Sequence, residues 1–267
     1  MFFKGKEVQL EKAIAADDPE AVTAAIKDGA DPNALGLHGV TPIIVTSGNL
    51  KFNAMKALIE NGANPNIYDK NGDNAVTLAA TTYNNDRKYL EYLLDHGGDP
   101  NSTLPDGDPL FTRIALLHDL DAMRYLIGKG ADVNAISRTE RPLVFYYAGS
   151  TDWDTAWLLI EHGAEYVFDD PRFDWKKRLN DPLEHAPGSP LFEYKEKAWR
   201  FLCEHGVEVP PLTTKEMWDY LYDDELPDPN MPIITCNHQK KQVEGEWGDL
   251  KPEVESALDY LKRTGRY

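Results

Sequence analysis

The chain has 267 residues, 42% of them hydrophobic, with 28 basic against 45 acidic side chains and a formal charge of −17. That length is enough for a sizeable core, and no apolar run approaches the roughly 20 residues a membrane-spanning helix needs. So acidic a surface repels phosphate backbones and anionic lipid, which disfavours nucleic-acid binding and steers a cationic protein partner inward; it also keeps a repeat chain in solution.

Six glycines, at positions 29, 62, 97, 130, 163 and 206, punctuate the sequence at spacings of 33, 35, 33, 33 and 43. Four of them open nearly one phrase: Gly29-Ala30-Asp31-Pro32-Asn33, Gly62-Ala63-Asn64-Pro65-Asn66, Gly97-Gly98-Asp99-Pro100-Asn101 and Gly130-Ala131-Asp132-Val133-Asn134. A period near 33 predicts an all-α solenoid of stacked helix pairs. Residues 1–35 form an N-terminal unit whose first helix, over 8–16, turns Glu7, Glu11 and Lys12 outward as a capping repeat should. In the next unit, Ala54 to Asn61 carries apolar residues at helical spacing before Gly62. Glycine just past a helix supplies the left-handed C′ conformation, and Asp or Asn followed by Pro-Asn suits a turn.

New helices are predicted to open at Thr41-Pro42, Asp108-Pro109 and Arg141-Pro142, with Thr41 and Asp108 as caps and proline in the first turn. The unit ending at Gly163 is rich in aromatics: Phe145, Tyr146 and Tyr147 in its first helix, Trp153 between helices and Trp157 in the second. An insertion near 168–180 lengthens the next period by ten residues, ahead of a further helix start at Asp181-Pro182-Leu183. The last helix of the array is expected over 194–204. The array is bounded at 1–210, and 211–267 is a helical C-terminal cap with helices over 213–222 and 252–264, joined by a proline-rich connector. Its aromatics Trp218, Tyr220, Tyr222 and Tyr260 would close the open end of the stack. Cys203 lies on the apolar face of a helix, where a buried free thiol is favoured over a bridge to Cys236, although that pairing remains open.

Thr41-Pro42-Ile43-Ile44 and Leu93-Leu94-Asp95-His96-Gly97-Gly98-Asp99-Pro100-Asn101 resemble the ankyrin signature, T-P-L-H-x-A followed by a second helix ending L-L-x-x-G-A-D-x-N. Over roughly 6–210 the chain looks like an ankyrin-repeat protein. It departs from the pattern at Asn74-Ala75-Val76, which lacks Thr-Pro, and at Gly163-Ala164-Glu165-Tyr166-Val167, which lacks the Pro-Asn turn.

The sequence contains no G-x-S-x-G elbow, Walker loop, G-x-G-x-x-G or H-E-x-x-H, so no enzyme and no cofactor is expected. Cys236-Asn237-His238 supplies two metal ligands where a structural zinc site needs four, and Asp169, Asp170 and Asp174 lack the spacing of a calcium loop, so no metal is expected. His162 and His205, each one residue before its glycine, read as caps at the negative helix end.

The resemblance implies recognition of a protein through finger loops and first helices. Carried onto this sequence, it selects Leu37, His38, Tyr68, Lys70, Asp106, Arg138 and Glu140 from the loops, and Phe111, Tyr146 and Tyr147 from the helices. Adjacent helical residues cannot both face a groove, so one of Tyr146 and Tyr147 packs inward. The insertion adds Asp169, Asp170, Phe173 and Trp175, aromatics beside charge of the kind interface hot spots favour; the other reading of Phe173 and Trp175 is that they anchor the loop. A short acidic array with an irregular cap is similar to bacterial immunity proteins that bind phospholipase effectors of type VI secretion. That likeness implies a lipase-like toxin as partner and a periplasmic mature form whose leader, often that of a lipoprotein, has been removed. The alternatives are a cytoplasmic adaptor or scaffold, or an effector directed at host proteins.

Overall fold

The computed structural model describes residues 2–83, 86–150, 152–179, 190–212, 232–237 and 250–264. The fold is the expected helical repeat: a helix–turn–helix–loop unit recurs along the chain, joined among the described residues by one small two-stranded sheet. The chain divides into two compact units, Met1–Glu140 and Arg141–Tyr267. Among the described residues no helix is long and apolar enough to cross a membrane.

The first unit pairs α1 (Glu7–Ala16) with α2 (Pro19–Lys27), α3 (Pro42–Gly48) with α4 (Phe52–Glu60), α5 (Ala75–Thr81) with α6 (Lys88–Asp95) and α7 (Leu110–Ala115) with α8 (Leu120–Gly128). First helices stack in sequence, α1 on α3, α3 on α5 and α5 on α7. Each helix is short, so tertiary burial rather than propensity must hold it. In α4 the buried side chains are Ala54, Met55, Ala57 and Leu58, one face at helical spacing.

One device ends most second helices. In α4 the Asn61 side-chain amide donates to the Ala57 carbonyl at 2.8 Å, and Gly62 follows at φ 87°. His96, His162 and His205 hold the same position and engage the carbonyls of Tyr92, Leu158 and Phe201 through Nδ1 at 2.7, 2.8 and 2.8 Å. These histidines satisfy orphan carbonyls of a helix end, as their place in the sequence predicts.

The recurring phrase then ties each repeat to the next. Within the phrase an acceptor side chain folds back onto the backbone: Asp31 accepts from Asn33 N at 2.8 Å, Asn64 from Asn66 N at 3.0 Å, and Asp99 from Asn101 N at 2.8 Å. Between phrases each asparagine bridges forward. Asn33 donates to Gly62 O at 3.0 Å and accepts from Asn64 N at 2.7 Å. Asn66 does the same with Gly97 O and Asp99 N, both at 2.8 Å. Asn101 repeats it with Gly130 O at 3.0 Å and Asp132 N at 2.7 Å. A side-chain amide has a donor and an acceptor at the spacing of the backbone groups it meets, which explains asparagine at this position.

Of the two caps expected from sequence, Thr41 forms and Asp108 does not, and Asn74 supplies one that was not expected. Thr41 accepts from Ile44 N at 3.4 Å, and Asn74 forms a reciprocal capping box with Thr77, which replaces the missing Thr-Pro start. Asp108, the expected cap of α7, does not cap it: Pro109 holds the cap position, and Asp108 accepts from Arg138 N at 2.7 Å and pairs with its guanidinium at 3.3 Å. A cation on the following loop outcompetes the local amide.

In the second unit α9 (Leu143–Gly149) pairs with α10 (Trp153–Glu161), α11 (Trp175–Leu179) ends the insertion, and α12 (Pro190–Glu204) packs on α10. Trp153, expected between helices, is the first residue of α10 and is fully buried, as is Trp199. Cys203 and Cys236 form a disulfide with 5.6 Å between their Cα atoms, which corrects the favoured reading of a free thiol. A second correction concerns 252–264. Only α13 (Ala257–Thr264) is helical, while β2 (Pro252–Ser256) pairs antiparallel with β1 (Pro232–Cys236). Thr235 donates to Glu255 and Asn237 to Glu253 across this ribbon, and Ser256 caps the helix by accepting from Asp259 N at 3.1 Å. The long-range pairing takes residues that local propensity assigns to helix. Tyr260 is buried as expected. The expected helix over 213–222, the helix start at 181–186 and the connector over 226–232, except Pro232 at the start of β1, lie outside the described residues.

Two expectations follow. Asn66→Ala removes both bridges between its loop and the next and should lower stability by about 1–3 kcal/mol, read by urea unfolding. Cys236→Ser, or reduction, should lower stability by about 4 kcal/mol, the entropy a cross-link over 33 residues removes from the unfolded chain, read as melting with and without reductant.

Candidate partner-binding surface

The loops that connect one repeat to the next have a common geometry in the first unit. Each leaves its bridging asparagine, reaches a tip and returns: Gly36 N donates to Val40 O at 2.9 Å, Asp69 N to Asp73 O at 2.7 Å and Leu104 N to Asp108 O at 2.8 Å. The sixth residue beyond the asparagine is left-handed in all four loops, Gly39, Gly72 and Gly107 at φ 78°, 85° and 91°, and Glu140 at φ 57°. Glu140 thus holds a conformation that its three equivalents meet with glycine.

Successive tips touch. Lys70 N donates to His38 O at 2.9 Å, Gly72 lies against Pro105, and Gly107 against the Arg138 side chain. Arg138 pairs with Asp106 at 3.0 Å as well as with Asp108, both across one repeat. These ion pairs are exposed and orient the tip more than they stabilise it.

Two residues beyond the asparagine that closes each phrase, Asn33, Asn66, Asn101 and Asn134, stands a side chain that points to solvent. In order these are Leu35, Tyr68, Thr103 and Ile136, all exposed; the three large ones are 69%, 44% and 52% accessible. The Tyr68 hydroxyl accepts from Thr103 N at 2.9 Å, which joins one position of the row to the next. Leu37, 57% exposed, lies beside this row at the first tip. An apolar row rimmed by Lys70, Asp106, Arg138 and Glu140 has the composition of a protein-binding patch.

The residues selected from sequence divide into three groups. Leu37, His38, Tyr68, Lys70, Asp106, Arg138 and Glu140 all lie on the loops of the first unit and are exposed. Phe111, Tyr147 and Trp175 are buried, and so are withdrawn from the candidate surface: Phe111 and Tyr147 are core residues of α7 and α9, and Trp175 donates from Nε1 to Tyr166 O at 2.7 Å. Tyr146 is half-buried with its ring edge-on to Tyr147, as the helical-neighbour argument requires.

In the second unit, Phe173 and Trp175 stand edge-on to Phe145 at 5.2 and 5.3 Å, and Phe168 joins them. They anchor the insertion onto α9. Arg178 completes the anchor with its guanidinium over the Phe145 ring at 5.2 Å and against Gly149, where a side chain would push the guanidinium aside. Asp169 remains exposed. Asp170 is paired with Arg172 at 2.7 Å, and the hydrogen bonds from Arg172 hold its carboxyl below the usual range.

Leu35 and Ile136 escape a selection by residue type, although the signal is present: they occupy the Tyr68 position in their own copies of the phrase. A family model for ankyrin repeats matches residues 10–103 as three copies. No curated protein matches the chain.

Because Glu140 sits left-handed where glycine is unstrained, Glu140→Gly should raise stability by about 0.5–1 kcal/mol. The left-handed region costs other residues ~1–2 kcal/mol, of which glycine's unfolded-state entropy returns part. Chemical denaturation reads the change, and a loss of stability would contradict it.

Proposed function

We propose that this chain acts by binding a protein through the loop row of its first unit, and that the bound protein is a secreted toxin enzyme which it neutralises. Ankyrin repeats are an interaction module, and three copies match here. The observation that carries the reading is the row of Leu35, Tyr68 and Ile136: large apolar side chains exposed at one position in three of the four loops, with Thr103 in the other, where burial gives no reason for them. Tyrosine flanked by charge supplies a rigid amphipathic anchor.

The finer reading is an immunity protein against a lipase effector of type VI secretion. Three features support it. The chain is acidic, the repeated glycine phrase is lost after Gly206, and Cys203 and Cys236 are bridged, as suits an exported protein in an oxidising compartment. On this reading the working form is periplasmic. Inhibition follows from occlusion, since a partner held against the loop row is screened from its substrate or membrane.

The test is capture from lysate and envelope fractions of the native host, with the wild type and a Leu35→Ser/Tyr68→Ala/Ile136→Ser variant that keeps its melting temperature. The wild type should retain one stoichiometric partner, a lipase or other toxin, and the variant should lose at least tenfold of it. Retention unchanged by the variant would overturn the loop-row assignment. Several unrelated housekeeping partners would overturn the immunity reading and favour an adaptor.

A further inference from the structure

The sequence contains two Asn-Gly steps, Asn61-Gly62 and Asn71-Gly72, and the fold holds them differently. Such a step carries a reaction of its own. With no Cβ on the following residue, the glycine amide nitrogen can close on the carbonyl carbon of the asparagine side chain. Attack needs the two atoms within roughly 3–3.5 Å, so whatever pins the side-chain amide sets the rate.

Asn61 is pinned. It is half-buried at the end of α4, and its amide donates to Ala57 O at 2.8 Å and, across the repeat, to Thr23 Oγ1 at 3.3 Å. Its backbone N–H and that of Gly62 close the helix end on Ala57 O at 3.1 Å and Ile59 O at 3.0 Å. Freeing this side chain means unravelling the last turn of α4. Asn71 instead stands exposed at the tip of the second finger loop. Its amide donates to the Asp69 carboxylate at 3.1 Å, its backbone N–H to the same carboxylate at 2.8 Å, and Gly72 N to Asp69 O at 3.2 Å. All three bonds lie within one solvent-facing turn, where water replaces them and local opening is easy.

The product also has an equivalent in the fold. Asp106 holds the same tip position in the next loop, five residues beyond Asn101 as Asn71 is beyond Asn66, so a carboxylate is accommodated there. His38 and Thr139 hold this position in the other two loops, and of the four residues only Asn71 joins a side-chain amide to a following glycine.

We propose that Asn71 is a site of spontaneous modification in the folded chain, and that the end of α4 protects Asn61. The Gly72 nitrogen gives its proton to solvent base and bonds to Asn71 Cγ, while Nδ2 takes up a proton and leaves as ammonia. One water then opens the succinimide at either carbonyl. The product is aspartate, or isoaspartate with the main chain rerouted through Cγ; water enters, ammonia leaves and nothing is oxidised. Either product adds a negative charge to a tip of the loop row, three residues after Tyr68. The reaction stands on the tip alone and holds whatever the row binds.

The full chain is held in mildly alkaline buffer at physiological temperature, native and in urea, and sampled by peptide mapping with mass spectrometry. An isoaspartyl methyltransferase reads the rerouted product. In the native chain Asn71 should convert at least tenfold faster than Asn61, with isoaspartate the larger product. In urea the two sites should convert within about threefold of each other, since the dipeptide is then the same. Asn71→Gln, whose longer side chain would have to close a six-membered ring, should abolish the native methylation signal while keeping the melting temperature. Equal native rates at the two sites, or faster conversion at Asn61, would overturn the proposal. So would a native Asn71 that stays intact while the urea sample converts, or a methylation signal that survives Asn71→Gln.

Discussion

A single side-chain amide holds the repeats of the first unit in register. Asn33, Asn66 and Asn101 each donate to a glycine carbonyl and accept from a backbone amide of the following phrase, at 2.7 to 3.0 Å throughout. Everything on the loop face depends on this bridge. It fixes where each loop leaves the helices, and so brings the tips into contact and sets Leu35, Tyr68, Thr103 and Ile136 at one level. Stacked apolar helices alone would permit sliding, because hydrophobic contact is not directional; the two-point hydrogen bond does not.

The same economy explains why the loops can vary while the scaffold does not. Burial holds the helices, the asparagine holds the spacing, and a left-handed residue turns the tip. Leu35 and Ile136, between these fixed points, carry little structural duty, which leaves them open to be chosen for a partner, while Tyr68 commits only its hydroxyl to the next loop and keeps its ring exposed. Glu140, strained where three equivalents are glycine, is one residue that structure does not favour at its position.

Much of this is legible in the sequence because repetition acts as an internal control. The phrase from Gly62 to Asn66 has meaning only beside its copies, and together they disclose period, helix ends and loop positions. Where there is no copy, legibility falls. The disulfide joins residues 33 apart that no local rule connects, and β2 is made by a partner strand that its own residues do not announce. Phe111, Tyr147 and Trp175 show a further limit: residue type marks a good anchor for a partner and a good core residue equally well. Only the direction of each side chain separates the two, and that is settled by the helices packed around it. Leu35 and Ile136 mark the converse, since their phase within the repeat aligns them with Tyr68 although their residue type does not.

The most direct test of the central claim is site-specific photo-crosslinking in the native host. A benzophenone amino acid is placed at Tyr68, or at the exposed Arg124 on α8 as a control away from the loop row. Binding through the loop row predicts one strong adduct from position 68, containing a single secreted enzyme, and none of that species from position 124. Adducts of equal strength from both positions, or an adduct from position 124 alone, would place the partner elsewhere and contradict the loop row as its binding surface.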